Sequence, residues 1–438
     1  MKRSTLILLL LAAIGGALIY YLEIKPGKPR DDKPDETKPA FSFAREEITG
    51  VTVTRGGKPV TLENQNGKWV ITQPVNAAAD ESALNSLVGD VVSARIEREF
   101  AAPGDLKEYG LADPAVKLEI KLKNGQTRRV ELGAKDVVGS SAYARIDGAQ
   151  NIAMLPASVL TSADKSLDDL RDRSVLGATQ FELSSLKVTN ESGGFEIARQ
   201  ESEWLLKSPV QGPAEESAVS SLLGDLTSAK ATEIVSETAD DLAKYGLDKS
   251  KLGLTVKLAT GAERSVSIGS KADDKFYAKV SDRPQIFKVE QAFLDNLNTK
   301  LADLRSKEIV KLDRENLKTI SIRNPNGTLV AENKDGKWVV TAPADKKDKE
   351  AQSFKIFTPF ESKASEVLDK PSAAIAAKLA RPAVEARLTD KNGKTTVVKI
   401  SAADGDDCYV RVEGRSGIYK LSKTMLESLS FKMDEAVQ

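Results

Sequence analysis

The segment Trp69-Val-Ile-Thr-Gln-Pro74 decides the fold, because the chain contains it in three versions. It returns as Trp204-Leu-Leu-Lys-Ser-Pro209 and as Trp338-Val-Val-Thr-Ala-Pro343, at a period of about 135 residues. Each version lies in a stretch of alternating apolar residues, which is typical of a β-strand with one buried face. Solenoid repeats have periods of roughly 20–50 residues, so each of these copies is long enough to form a complete domain.

Further motifs recur in the same order around the Trp strands. They are Tyr-Gly-Leu at 109–111 and 245–247, a Tyr strand beginning at Tyr143, Tyr277 and Tyr409, and Asp-Leu-Arg at 169–171 and 303–305. We therefore divide this part of the chain into repeat 1 (residues 41–174), repeat 2 (175–308) and repeat 3 (309–438). The two junctions contain no Gly-, Ser- or Pro-rich linker.

The strand pattern predicts an α+β fold with mainly antiparallel sheets. The alternating apolar residues that precede the Trp strand of repeat 1 are Ile48, Val51, Val53, Val60 and Leu62. Asn-Gly pairs at 124–125 and 392–393 predict hairpins later in repeats 1 and 3. Tight turns of this kind connect antiparallel neighbours, whereas parallel strands need long crossovers.

Two amphipathic helices are expected in each repeat. The first follows Asp80, a suitable N-cap, and its counterpart in repeat 2 has the same stripe. The stripe residues are Leu84, Leu87, Val88, Val91 and Val92 in repeat 1, and Val219, Leu222, Leu223 and Leu226 in repeat 2. A terminal helix is predicted from Leu160, Leu167 and Leu170, from Leu294, Leu301 and Leu304, and from Leu426 and Met433. In repeat 3, Pro359 interrupts the first stripe (Phe354, Ile356 and Phe357).

Composition excludes several classes of function. The chain of 438 residues has 64 Lys and Arg, 64 Asp and Glu, one Cys and no His. Zero net charge provides no basic footprint for nucleic acid. The missing His removes Ser-His-Asp and Cys-His relays, and no Cys/His cluster exists for zinc, iron–sulfur or haem. We expect no cofactor, no metal and no catalytic residues.

The N-terminus predicts a membrane anchor. An apolar run extends from Leu6 to Leu22, and residues 5–24 are long enough to cross a hydrocarbon core of about 30 Å. A cleaved signal peptide and a buried soluble helix are the alternatives. Residues 25–40 are charged and rich in Pro, which predicts an extended stalk. The predicted location is the bacterial inner membrane, with a single pass at residues 1–24 and the bulk of the chain in the periplasm.

The aromatic motifs have a structural and a functional interpretation. Trp69, Trp204 and Trp338 lie beside aliphatic residues in alternating strands, which favours anchors of the core over exposed platforms for glycan or peptide. Tyr109 and Tyr245 precede a Gly that suits a helix C-cap, which favours a structural turn.

Acidic runs and the single thiol are the remaining candidates. Asp404-Gly-Asp-Asp407 and Asp273-Asp274 occupy the same hairpin of repeats 3 and 2, but they lack the spaced ligands of a calcium loop. We interpret them as acidic turns. Cys408 adjoins the Tyr409 strand and is expected to be a small core residue, since no His is present to activate it.

This order of motifs resembles the bacterial domain of unknown function 4340 family. The resemblance is carried by the Trp-x-x-x-x-Pro strand ends, the Tyr-Gly-Leu turns, the Asn-Gly hairpins, the Tyr strands and the Leu-Arg junctions described above. It implies an N-terminal anchor and a partner in the cell envelope, such as a gliding-motility-like ABC transport system, and it supplies no catalytic residues. Repeat 3 departs from the pattern, because Ala377-Lys378-Leu379 stands where Tyr-Gly-Leu is expected.

Three functions from different classes follow. The first is a non-catalytic, membrane-anchored scaffold whose tandem repeats bind an envelope protein, as an accessory of an ABC-type transport system. The second is a module that binds glycan or peptidoglycan in a groove between repeats. The third is a hydrolase without His that uses a pair of carboxylates.

Overall fold

The computed structural model describes residues 37–102 and 104–438. The predicted transmembrane segment at residues 5–24 and most of the predicted stalk lie outside these residues. Within the part of the chain that the structure describes, no helix is long and apolar enough to cross a membrane. The chain forms two compact units, of which the first ends at Arg173 and the second comprises Ser174–Gln438.

The first unit contains repeat 1. Its strands are β1 (Lys38–Pro39), β2 (Ile48–Arg55), β3 (Lys58–Gln65), β4 (Lys68–Gln73), β5 (Ala77–Ala78), β6 (Arg95–Ile96), β7 (Arg98–Ala101), β8 (Val116–Leu122), β9 (Thr127–Lys135), β10 (Ser141–Ile146) and β11 (Asn151–Pro156). They form an antiparallel sheet in the order β5-β4-β3-β2-β8-β9-β10-β11-β7, and β1 pairs separately with β6. Lys38 and Pro39 of the predicted stalk therefore belong to the fold, and Ala40 is buried.

Helices cover one face of this sheet. They are α1 (Glu81–Ser93), α2 (Ala157–Ala163) and α3 (Leu167–Leu170). Asp80 caps α1 as predicted, because its carboxylate accepts a hydrogen bond of 2.9 Å from the Ala83 N–H. The predicted terminal helix is two short helices, because Ser166 starts the second one by accepting a hydrogen bond from the Asp169 N–H.

Repeat 2 has the same arrangement within the second unit. Its strands are β12 (Leu183–Thr189), β13 (Phe195–Gln200), β14 (Glu203–Ser208), β15 (Gly212–Pro213), β16 (Glu233–Ser236), β17 (Leu252–Leu258), β18 (Glu263–Ala272), β19 (Lys275–Val280) and β20 (Ile286–Val289), and its helices are α4 (Glu216–Ser228), α5 (Gln291–Leu297) and α6 (Leu301–Leu304). The sheet order β15-β14-β13-β12-β17-β18-β19-β20-β16 matches that of repeat 1. All of the residues predicted for the α4 stripe are buried.

Repeat 3 keeps the sheet except for a counterpart of the edge strands β5 and β15, and its helices differ. Its strands are β21 (Leu317–Asn324), β22 (Gly327–Lys334), β23 (Lys337–Ala342), β24 (Glu366–Leu368), β25 (Val384–Asp390), β26 (Thr395–Ile400), β27 (Asp407–Val412) and β28 (Ile418–Ser422), and its helices are α7 (Ser353–Phe357), α8 (Ala373–Ala380) and α9 (Thr424–Leu429). The first helix is short because Pro359 converts the chain to a 3-10 turn at Thr358–Glu361. Ile356 and Phe357 are buried as the stripe predicts, but Phe354 is 61% exposed.

Each sheet packs its apolar face against its own helices. The buried residues form one main cluster per repeat, and a smaller cluster surrounds Tyr245 and Leu247 in repeat 2. Each Trp-x-x-x-x-Pro motif ends in a cis peptide bond before Pro74, Pro209 or Pro343. The mainly antiparallel α+β fold that the sequence predicts is confirmed.

Candidate functional site

A buried arginine joins repeat 2 to repeat 3. The Arg305 side chain is 5% exposed, and its guanidinium donates hydrogen bonds to the Asp369 carboxylate and to the carbonyl oxygen of Ser416, both in repeat 3. Its backbone remains in repeat 2, where it forms a β-bridge with Ala214. Arg305 thus clamps the end of one repeat to the next. The Leu-Arg pair was visible in the sequence only as a junction motif.

The main chain crosses this junction without a linker. The Ser306 N–H donates to the Pro213 carbonyl of repeat 2 (3.1 Å), and the carbonyl of the following residue, Lys307, accepts from the Ala364 N–H of repeat 3 (2.9 Å). Arg415 of repeat 3 then donates to the carbonyls of Glu308 (2.9 Å) and Ile309 (2.7 Å). Backbone hydrogen bonds therefore fix the junction on both sides.

A cleft of about 230 Å³ opens beside this junction. Repeats 2 and 3 both contribute to its lining, which consists of Glu203, Trp204, Pro213, Ala214, Glu215, Glu216, Ser306, Glu308, Lys311 and Arg415. Four carboxylates face two cationic side chains, so the lining carries an excess of negative charge. Its volume lies below the roughly 300–1,000 Å³ of typical small-molecule pockets, and it is suited to one side chain or one sugar ring.

Ion pairs cross the mouth of the cleft. Glu203 of β14 accepts a hydrogen bond of 2.7 Å from the Lys311 ammonium, and this contact raises the pKa of Lys311 above its ordinary value. Lys363 lies 3.9 Å from Glu215 and 3.7 Å from Glu308. These pairs are largely exposed, so they orient the lining more than they stabilise the fold.

The three tryptophans occupy different environments. Trp338 is 4% exposed and packs edge-on against Phe357, with ring centroids 4.8 Å apart, so it is a core anchor as predicted. Trp69 and Trp204 are only partly buried and lie at the margins of their cores. For Trp204 the prediction of a core anchor is therefore incomplete. Trp204 is also one of the residues that line the cleft, and the Arg199 guanidinium lies 5.8 Å from its ring centroid.

The Tyr-Gly turns are structural, as the sequence suggested. Tyr245 stacks edge-on with Tyr277, with centroids 4.9 Å apart, and Gly246 adopts a left-handed φ of 67° at the end of a 3-10 turn. Tyr109 and Tyr143 make the same contact in repeat 1, also at 4.9 Å. In repeat 3 the helix α8 replaces this turn, and only Leu379 keeps the buried position of its counterparts.

The acidic runs are surface turns, and the run of repeat 3 is ion-paired. Asp404 lies 3.0 Å from the Lys378 ammonium, Asp406 lies 3.0 Å from that of Lys423, and Asp407 lies 2.9 Å from that of Lys420. The three carboxylates thus pair with three different lysines and do not converge. Asp273-Asp274 forms the corresponding hairpin tip, where Asp273 has a positive φ. Among residues 37–102 and 104–438, no group of three His, Cys, Asp or Glu side chains could hold a metal ion.

Cys408 has the environment of a core residue. It is fully buried, its thiol donates to the Ser422 carbonyl (3.4 Å), and burial raises its pKa to about 11. The reactive thiolate is therefore disfavoured near neutral pH.

The shifted carboxyl groups favour the ionised form. Hydrogen bonds donated to them are the main cause of a pKa below the ordinary value at Glu99, Asp169, Glu182, Glu413 and Asp434. A general acid of a glycoside hydrolase needs the opposite shift, and none of these five groups lines the cleft.

The sequence profile of one family matches this chain twice. The family is the Domain of unknown function (DUF4340), and its matches cover residues 69–211 and 204–375. Each match begins at a Trp strand, so tandem copies are confirmed by a comparison that is independent of the sheet topology. No curated protein matches the chain.

Proposed function

The chain belongs to the DUF4340 family, and we propose that it is a non-catalytic, membrane-anchored scaffold of the bacterial cell envelope. Residues 5–24 anchor it in the inner membrane, with a single pass and the repeats in the periplasm. Repeats 2 and 3 together bind a protein partner. The observation that carries the proposal is the clamped junction, because Arg305 and the linker-free backbone hold the two sides of the cleft in place.

The cleft is suited to one basic side chain of that partner. Its lining has more carboxylates than cations, and an aromatic face beside carboxylates favours a cation that has left water. Its volume of about 230 Å³ admits a single Lys or Arg side chain and not a folded segment. The remaining contact area would come from the surfaces around the cleft, as in interfaces where a central anchor supplies most of the affinity. An ABC-type transport component is the partner that the family resemblance implies.

Site-specific crosslinking in native membranes tests this proposal. A photoreactive residue replaces Glu216, an exposed cleft carboxylate at the start of α4, and mass spectrometry identifies what it captures. The matched control carries the same residue at Glu263 of β18, which does not line the cleft. We expect one protein to be captured from position 216 and not from position 263. Equal capture at both positions, or none at either, would contradict a partner site in the cleft.

A glycan-binding module is the second candidate, and the position of Trp204 favours it. A partly exposed indole beside carboxylates is a common platform for one sugar ring. Binding of the full chain to isolated peptidoglycan sacculi separates this candidate from the first. If it is correct, Trp204→Ala removes sacculus binding, whereas Trp69→Ala at the equivalent strand of repeat 1 does not. Unchanged binding in both variants eliminates the glycan interpretation of Trp204.

A further inference from the structure

The hairpin between β9 and β10 in repeat 1 ends in two exposed valines. Val137 is fully exposed and Val138 is 84% exposed, and no other large aliphatic side chain of the described residues reaches such values. They occupy the central positions of a closed turn, in which the Gly139 N–H donates to the Asp136 carbonyl (3.0 Å). Turn centres favour Gly, Asn, Asp and Pro, whereas β-branched residues favour strands. Local structure therefore gives no reason for two valines at this point.

The turn is well defined despite this sequence. The Asp136 carboxylate accepts a hydrogen bond of 3.0 Å from the Ser141 N–H, and the Asp136 N–H donates to the Ser141 carbonyl (2.9 Å). Gly139 has a φ of 81°, which suits glycine. Both valines are thus presented outward on a braced hairpin. The equivalent hairpin of repeat 2 has Asp273 and Asp274 at its tip, so the apolar tip is particular to repeat 1.

The tip lies at the end of repeat 1 where the described chain begins. Ser141, two residues beyond the turn, donates a side-chain hydrogen bond to Glu97. Glu97 adjoins Ile96, which pairs with Lys38. Residues 25–36 separate this entry point from the apolar run that ends near Ile24, and twelve residues span at most about 40 Å. Lys135 adds an exposed cation beside the turn.

We propose that the Val137–Val138 tip inserts into the interfacial region of the same bilayer that holds residues 5–24. This inference rests on the proposed membrane anchor, and it adds a second membrane contact on the folded part of repeat 1. Paired aliphatic side chains on a rigid loop, flanked by a lysine, have the composition of segments that enter the boundary between headgroups and acyl chains. The occupant of this apolar tip is therefore lipid.

Single-cysteine labelling of the full chain in proteoliposomes tests this inference. Val138→Cys receives an environment-sensitive fluorophore, and the natural Cys408 stays unlabelled because it is fully buried. Lipids brominated on their acyl chains are the quencher. We expect a blue-shifted emission that these lipids quench. The matched control is Asp274→Cys on the tip of the repeat 2 hairpin, where we expect no quenching.

A second variant separates insertion from an effect of the fluorophore. Val137→Asp in the same labelled chain places a charge at the tip, and it should abolish the quenching while the fold is retained. Alkaline carbonate extraction is performed in parallel. A chain that stays in the membrane pellet but shows no quenching at position 138 overturns the tip proposal and leaves the anchor standing. A chain released from the pellet overturns both. A blue-shifted emission that the brominated lipids do not quench identifies a protein, and not lipid, as the occupant and overturns the proposal.

Discussion

Repeats 2 and 3 cover the same position of their sheets with different structures. In repeat 2 a Tyr-Gly turn lies directly on strand β18, where a Cβ added to Gly269 would stand 2.1 Å from the Tyr245 carbonyl oxygen. In repeat 3 the corresponding strand residue is Ser401, which is fully buried. Its hydroxyl donates to the Ala402 carbonyl (2.7 Å) and accepts from the Tyr409 N–H (3.0 Å). The helix α8 covers this region in place of the turn.

The comparison shows that the strand glycine and the turn belong together. Where the backbone of the turn lies close to the strand, the strand residue has no room for a side chain and must be glycine. Where the turn is absent, the space is filled by a small polar side chain whose hydroxyl is hydrogen-bonded. The two repeats also differ at the residue that bridges to the segment after the Trp motif. Val437 of repeat 3 forms the β-bridge that Arg305 forms in repeat 2, so the buried clamp residue is replaced by a buried aliphatic one.

The largest expected difference concerns the Trp strands. Trp338→Ala should lower the free energy of unfolding of repeat 3 by about 4 kcal/mol, because it empties a fully buried site beside Phe357. Trp204→Ala should cost repeat 2 only about 1–2 kcal/mol, because its indole is already partly in water. Chemical denaturation measures both, and the accessibility of the Cys408 thiol reports on repeat 3 alone. Equal costs would show that Trp204 is as much a core residue as Trp338.

The strand glycine gives the next effect. Gly269→Ala should destabilise repeat 2 by about 3 kcal/mol, because the new Cβ meets a backbone oxygen that cannot move aside without shifting the turn. Gly224→Ala in α4 is the control, since its Cβ would meet nothing closer than 3.8 Å and a helix interior prefers Ala by about 1 kcal/mol. The melting temperatures of both variants, measured by thermal unfolding, test this prediction. Similar melting temperatures would contradict the close approach.

The clamp should contribute less. Arg305→Met is expected to cost about 2 kcal/mol and to separate the unfolding of repeats 2 and 3 into two transitions, because Asp369 is 43% exposed and regains water when its partner is lost. Arg387→Met removes the ion pair of an exposed arginine with Glu385, which keeps its second partner Arg323, and should cost less than about 0.5 kcal/mol. Denaturation followed by two probes, one per repeat, measures the separation. A single unchanged transition for Arg305→Met would refute the clamp.

The smallest effect is the ion pair at the cleft mouth. Because the folded pKa of Lys311 is raised, its contribution to stability is fully present below the unfolded pKa near 10.5 and is lost as the pH rises through the folded value. We expect this loss to be below about 0.5 kcal/mol for so exposed a pair, and to disappear in high salt. The difference between wild type and Lys311→Gln, measured from pH 9 to 11.5, isolates it. If the two proteins instead differed in stability only at acidic pH, the raised pKa of Lys311 would be contradicted.

Local periodicity predicted most of the fold. The repeats, the Trp strands, the Asn-Gly hairpins and the Asp80 cap could be read from neighbouring residues, because alternation and turn chemistry act over a few positions. The α8 helix was missed, since the sequence showed only that Tyr-Gly-Leu was replaced by Ala377-Lys378-Leu379. Its Ala-rich sequence after Ser372, whose hydroxyl accepts from the Ile375 N–H, was an available signal.

The candidate site could not be read in the same way. Arg305 meets Asp369 and Ser416, which lie 64 and 111 residues further along the chain, so no local pattern marks it as buried. The exposure of Trp204 depends on what covers its strand, and in repeat 3 the corresponding cover is Phe357. A groove between repeats was predicted as a general possibility. That β14, α4 and the junction line it could be seen only from how repeats 2 and 3 pack together.

The linker-free junction has a mechanical consequence. Because the neighbouring residues Ser306 and Lys307 form backbone hydrogen bonds to different repeats, almost no free chain lies between these bonds that a pull could extend first. Tension reaching the joint would load the Pro213 and Ala364 hydrogen bonds together, and these would have to shear before either repeat could extend. This joint therefore transmits force from repeat 2 to repeat 3 instead of absorbing it.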